Sequence, residues 1–217
     1  MEKEKIMKKS KKATGIAEAM VVMMVILTGV TWMYKIYSAS VLLEAGTTNK
    51  IKAIQIAKEW MEAITSIRNT NWILFGSDYK NCWNTINYDS WCISNTSPVK
   101  IAENGKYIIY KDTNNRWKLH LPTGIGSYEY SDTDYRNQFR IGIDNDWFYT
   151  ATWTTTNLKP IFTREIQVNY LDTSNPTDGA DSNDEKIRVK SIVQWVDASS
   201  NNTRRVELET ILSNWEG

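Results

Sequence analysis

Histidine occurs once in the 217 residues, as His120, and cysteine only twice, as Cys82 and Cys92. So few imidazoles and thiols leave little material for a metal-ligand cluster or for imidazole-based proton transfer, which counts against an enzyme. Neither sign of charge dominates: 26 basic and 25 acidic residues give a net charge of +1, so nucleic acid is not an expected partner. No glycine pattern that would cradle a phosphate occurs, and no serine or aspartate motif surrounds His120. Proline is absent before Pro98, so no such breaker interrupts a helix upstream of it. What is plentiful is aromatic surface. Ten tryptophans and eleven tyrosines are enough to fill the core of a small β-rich domain. Rings of this kind also stack on sugars or single-stranded DNA, and the sequence pattern alone does not separate the two uses.

From Thr14 to Tyr34 the chain is apolar or small, broken only by Glu18. As a helix, this stretch rises about 31 Å, against roughly 30 Å for the hydrocarbon core of a bilayer. Lys3, Lys5, Lys8, Lys9, Lys11 and Lys12 precede it, opposed only by Glu2 and Glu4, while Lys35 is the nearest charge after it. That bias predicts a cytoplasmic N-terminus, a single span and an extracytoplasmic remainder, with Trp32, Tyr34 and Tyr37 at the outer interface. A secretory signal would place an Ala-x-Ala site after the apolar run, but the chain continues Trp-Met-Tyr-Lys-Ile-Tyr. The small residues Ala13, Thr14 and Gly15 come before it instead. Glu18 is the anomaly, because a carboxylate at membrane depth costs on the order of 3 kcal/mol and marks a function or a partner.

The segment Lys-Lys-Ala-Thr-Gly-Ile-Ala-Glu-Ala-Met-Val-Val-Met-Met-Val-Ile-Leu resembles the processing and methylation segment of type IV prepilins. That family has a basic leader, a small residue, and a glutamate five residues into a hydrophobic helix. The resemblance implies cleavage between Ala13 and Thr14, with Gly15 as the next choice, and methylation of the new amine on Thr14. It implies that Glu18 meets the terminal amine of a neighbouring subunit, a head-to-tail contact that propagates a filament. Ala13 stands where glycine is usual and Thr14 where phenylalanine is usual. Lys35 replaces a proline common in major pilins, which favours a minor pilin or pseudopilin. The partners implied are other pilin subunits, a prepilin peptidase and an inner-membrane assembly platform.

Beyond Tyr37 the helix is expected to continue as an amphipathic stem, because Ile51, Ile54, Ala57, Met61, Ile64 and Ile67 recur at three- and four-residue steps. Asn69-Thr70-Asn71 predicts its end near Arg68, and the segment from Glu44 to Asn49 predicts a kink or short melt, since glycine and threonine lower helix propensity. Further on, β-like runs cover Tyr107 to Lys111, Trp117 to Leu121, Gln138 to Ile143, Trp147 to Trp153, Ile161 to Tyr170, Ile187 to Val196 and Arg204 to Leu212. Asp112-Thr-Asn-Asn115 reads as the turn between the first two. The fold class expected is α+β, and the resemblance implies a pilin-like lollipop: a long N-terminal helix packed on an antiparallel sheet. The corresponding divisions are a leader at 1–13, a transmembrane and filament-core helix at 14–36, a stem at 37–70 and a head at 71–217.

Cys82 and Cys92 lie in a loop expected outside the membrane, where oxidation is permitted, and a disulfide between them is predicted. Two buried thiols, or half a metal site, are the alternatives. The acidic segment from Asp172 to Glu185 gathers oxygen ligands at Asp172, Asp178, Asp181 and Asp184 but lacks an EF-hand spacing. A solvated hairpin loop is the preferred reading there and no cofactor is expected, with calcium as the alternative. For the whole chain, the expectation is a non-catalytic filament subunit. The competing class is a membrane-anchored binding or adhesion module that never polymerises.

Overall fold

The computed structural model describes residues 2–88, 90–93, 100–102, 104–112, 114–125, 129–143, 149–151, 162–171, 186–197 and 201–214, with backbone alone for 2–14, 87, 91, 143 and 149–151. The chain divides into two compact units, Met1–Thr48 and Asn49–Gly217. Its first element, α1, spans Glu2–Leu74. A five-stranded antiparallel sheet follows, so the class is α+β.

Two expectations for α1 are corrected. The helix runs through Glu44 to Asn49 without a break. A glycine costs about 1 kcal/mol of helix propensity, which a long helix absorbs, and the Thr47 hydroxyl donates back to the Leu43 carbonyl at 2.9 Å. The helix also continues past Arg68 to Leu74. Asn71, expected in a turn, is instead buried, and its amide donates to the carbonyls of Trp83 and Thr85 at 3.3 and 3.0 Å. Tertiary bonds thus use a residue that local propensity assigns to a turn.

In the second unit the buried face of α1 is Ala53, Ile56, Ala57, Trp60, Ala63, Ile64 and Ile67. The expected stripe is rotated, and Ile51 is left 52 % exposed. Trp60 is the reason. Its large ring occupies the centre of the face, and the three alanines beside it allow the helix backbone to approach the sheet.

The sheet comprises β1 (Gly105–Lys111), β2 (Trp117–His120), β5 (Phe162–Leu171), β6 (Lys186–Val196) and β7 (Thr203–Ser213), in the order β2-β1-β5-β6-β7. A separate two-stranded ribbon pairs β3 (Ile141–Ile143) with β4 (Tyr149–Ala151). The β1–β2 turn falls where expected: Asp112 N donates to Arg116 O at 2.9 Å, and Asn115 adopts φ 59, a left-handed conformation that asparagine tolerates. β6 pairs with β5 from Leu171↔Lys186 to Phe162↔Trp195 and with β7 from Lys186↔Ser213 to Val196↔Thr203. Along β7, Val206, Leu208, Thr210 and Leu212 are partly or fully buried while Arg205, Glu207 and Glu209 are exposed, as the alternation predicts.

The expected strand over Gln138 to Ile143 is too long at its start. Gln138 and Phe139 belong to α3 (Thr133–Phe139), which follows the short α2 (Tyr79–Cys82) in chain order. Asp132 caps α3, its carboxylate accepting from the backbone N–H groups of Asp134 and Tyr135 at 2.7 and 3.0 Å. With an acid at the N-cap, the backbone favours a helical turn before the chain can extend at Ile141.

Both faces of β5 are covered, and adjacent charges point in opposite directions. On one face Arg164 is 2 % exposed, its guanidinium 3.7 Å from the centroid of the Trp60 ring on α1. Glu59 lies 3.6 Å from Arg164 Nη1, an ion-pair separation beyond hydrogen-bonding range, and Arg164 Nε and Nη1 have no hydrogen-bond partner among the described residues. Burial pushes the Arg164 pKa down to about 9, with Glu59 opposing. On the other face Glu165 accepts from the Tyr135 hydroxyl at 2.7 Å and from Gln167 Nε2 at 2.6 Å, with Lys106 Nζ at 3.6 Å. Thus α1 and α3 are each tied to the sheet through a neighbouring residue of one strand.

Candidate functional site

In the first unit, the apolar side chains of α1 meet no protein among the described residues. Met20, Met23, Met24, Val25, Leu27, Met33 and Ile36 are all exposed, and the apolar window that makes the helix long enough to cross a membrane is 0 % buried. An exposed stripe of this size on a water-soluble protein would be a liability, whereas a bilayer or other apolar helices would satisfy it. The hydroxyls within it are satisfied internally. Thr28 Oγ1 donates to the carbonyls of Met24 and Val25 at 3.0 and 2.9 Å, and Thr31 Oγ1 to that of Thr28 at 2.8 Å. Back-bonding of this kind removes the need for water or a partner in an apolar medium.

Glu18 is different. It is the only charged residue between Gly15 and Tyr34, it is exposed, and it has no hydrogen bond or ion pair among the described residues. Thr14 precedes it by one turn of the same helix, so the two positions share a face. For Ala13 and Thr14 the backbone alone is described, within α1. At the far end of the apolar stretch Lys35 Nζ lies 5.9 Å from the centroid of the Trp32 ring, and Tyr34 and Tyr37 are exposed beside it. From Glu18 to Lys35 the helix rises about 26 Å, so acid and base bracket a length close to one hydrocarbon core.

The other predicted sites are distributed elsewhere. Cys82 and Cys92 form a disulfide, with Cα atoms 5.2 Å apart, and pack with Phe75 and Tyr88 just beyond the end of α1. The bridge joins α2 to a short 3-10 turn at Ser90–Cys92. Around it, Asn84 donates to the Tyr170 hydroxyl at 2.9 Å and Tyr170 donates to the Ile101 carbonyl at 2.8 Å, tying this loop to β5. Asp172, Asp178, Asp181 and Asp184 lie outside the described residues. Among the described residues no three His, Cys, Asp or Glu side chains gather to hold a metal. His120 lies on β2, and partial burial lowers its pKa.

Sequence reasoning did not anticipate the buried pair Arg164 and Glu165. The available signal was two consecutive charges inside an otherwise strand-like run, and period-two geometry sends them to opposite faces. Compared with known proteins, the chain matches no family model, no curated protein and no solved structure.

Proposed function

We propose that this protein is a minor pilin or pseudopilin, a structural subunit of a type IV pilus or type II secretion-like filament that assembles through its hydrophobic helix and catalyses no reaction. The observation that carries this reading is Glu18: a single acid, unpaired among the described residues, in a stretch of α1 from Gly15 to Tyr34 that is otherwise uncharged and exposed throughout. In an apolar medium such a carboxylate is stabilised by a cation supplied from outside its own helix. Cleavage between Ala13 and Thr14 would create that cation, and methylating the amine would retain its charge while reducing its hydration. The basic leader holds the N-terminus in the cytoplasm, the helix crosses the membrane once, and the sheet-bearing unit lies outside, the order of parts in a pilin. Prepilin peptidase, the assembly platform and other pilin subunits are the partners. An oxidising compartment suits the Cys82–Cys92 disulfide.

Intact-mass analysis of the protein from cells with an active prepilin peptidase tests the processing step. Loss of residues 1–13 with gain of one methyl group is expected. A full-length chain in those cells would favour a plain membrane anchor carrying a binding module. Glu18→Ala is expected to leave membrane insertion intact and to abolish incorporation into filaments, as read from sheared surface fractions. Incorporation at the normal level refutes the proposed pairing.

A further inference from the structure

Burial separates aromatic rings that fill a core from a ring placed to meet a ligand. In the second unit Trp60, Trp83, Tyr107, Tyr135, Tyr170 and Trp195 are buried. Among its described aromatics only Trp72, 39 % exposed, lies open to solvent. Two neighbours flank the indole. Tyr79 packs edge-on at 5.6 Å, and Trp72 Nε1 faces Asn214 Oδ1 at 3.5 Å, a long and weak contact.

One turn earlier on α1, Arg68 donates from Nε to Asn69 Oδ1 at 2.9 Å and from Nη1 to the Ser213 carbonyl at 3.2 Å. Both acceptors are neutral, and partial burial lowers the Arg68 pKa. By contrast, Arg116, Arg188, Arg204 and Arg205 each meet a carboxylate. A guanidinium has five N–H donors, so three of those on Arg68 remain for another acceptor. Arg68, Asn69, Trp72 and Ser213 line a cleft of about 230 Å³. A partly desolvated cation with no counter-ion among the described residues therefore shares a cavity with an exposed aromatic ring.

Asn69 also borders a second groove, of about 430 Å³, lined by Thr65, Ser66, Thr70 and Thr210 among others, with Glu62 on its wall. Met61 and Ile73 also line it, so hydroxyls and an amide beside apolar side chains suit the mixed faces of a neutral sugar ring, and Glu62 disfavours a run of phosphates. Single-stranded nucleic acid needs several cations along its backbone, whereas among the described residues Arg68 is the only cation lining either space.

We propose that the Arg68–Trp72 cleft binds an acidic pyranose of the uronic-acid class, with the adjoining groove receiving the next sugar of a polysaccharide. The carboxylate pairs with the guanidinium fork, and the apolar face of the pyranose packs on the Trp72 ring. This site is independent of Glu18 and of filament assembly, so either reading can fail without the other.

The test is ligand-observed NMR on the full chain in micelles of a detergent without a sugar headgroup, using methyl glucuronide, methyl glucoside, acetate, N-acetyl-leucine and a short oligothymidylate as probes. Saturable binding of the glucuronide is expected, with the glucoside and acetate each weaker by about tenfold or more. Arg68→Gln should weaken the glucuronide by a similar factor, Arg68→Lys by less, and Trp72→Phe should retain part of the affinity that Trp72→Ala loses. Near-UV circular dichroism identifies variants that keep their fold, and Arg68→Lys with Trp72→Phe carries the test if the harsher changes unfold the protein. Equal binding of glucuronide and acetate would reduce the site to an anion hole and overturn the proposal. Tighter binding of N-acetyl-leucine would assign it to a peptide carboxylate, and tighter binding of the oligonucleotide to a nucleic acid. Either result overturns the sugar reading, as does failure of the glucuronide to saturate at tens of millimolar.

Discussion

Replacing Arg164 by methionine asks whether a buried cation stabilises the sheet-bearing unit or is carried at a cost. Arg164 is 2 % exposed and lies 3.7 Å from the Trp60 ring centroid, a desolvated cation–π contact that contributes about 2 kcal/mol. The side chain of its acidic partner Glu59 is 41 % exposed, so solvent screens the ion pair and its contribution stays under about 1 kcal/mol. Against these stand two buried nitrogens, Nε and Nη1, with no hydrogen-bond partner among the described residues. Each such group costs about 1–3 kcal/mol. The fall in pKa to about 9 has the same origin, a site that disfavours the charged form. Methionine fills most of the volume, and its sulfur packs well against an aromatic ring, for about 0.3–1.5 kcal/mol. A loss of up to about 3 kcal/mol thus opposes a gain of about 2–6. Arg164→Met is expected to be as stable as the parent or more stable by up to about 2 kcal/mol, as found when buried ion pairs elsewhere are replaced by apolar residues. Arg164→Ala should be less stable than Arg164→Met by about 2–5 kcal/mol, because it leaves a cavity beside Trp60. Urea unfolding of the full chain in micelles, followed by near-UV circular dichroism, measures both through the midpoint at unchanged slope. A loss of more than about 2 kcal/mol in Arg164→Met would refute that balance and make the charge a net stabiliser.

Three further outcomes are expected. Cys82→Ser with Cys92→Ser lowers unfolding stability by about 2–3 kcal/mol, because opening a loop of ten-residue separation frees the unfolded chain, and the urea midpoint reads it directly. At Gly105 an added Cβ would clash with the Tyr107 ring, which is itself held through its hydroxyl, the acceptor for Ala102 N at 2.6 Å. Gly105→Ala should therefore cost about 1–3 kcal/mol from overpacking, whereas an unchanged melting temperature would mean that the ring moves freely. The Tyr135 hydroxyl is kept protonated by burial and then by the charge of Glu165, so its folded pKa lies above the ordinary 10.0. The unfolded chain ionises first, and stability present below about pH 10 is lost as pH rises beyond it. Tyr135→Phe should flatten part of that alkaline slope and cost about 1–3 kcal/mol near neutrality, by removing one donor from the buried Glu165 carboxylate.

Features that depend only on near neighbours in the chain are legible in the order of residues. The apolar run and its lone acid Glu18, the turn at Asp112 to Asn115, and the alternation along β7 all follow from residue type at short spacing. The Cys82–Cys92 bond is legible too, because only two cysteines exist and the charge bias predicts an oxidising side of a membrane for their loop. Other features need partners distant in sequence. Which face of α1 is buried is decided by Trp60 meeting β5, not by the aliphatic stripe that includes Ile51. Asn71 stays helical because Trp83 and Thr85 accept its amide. Gln138 and Phe139 are helical because Asp132 caps a turn ahead of them.

Composition therefore determined that one segment is apolar enough to leave water, and periodicity determined that several later runs are strands, the last of them alternating between a buried and an exposed face. Only the packed chain decided that Arg164 and Glu165 are buried on opposite faces, and that Trp72 beside Arg68 stays open while most of the described rings of the second unit close into the core. The physical reason is that periodicity fixes the direction of a side chain relative to its own element. Burial depends on what another element brings to the same place.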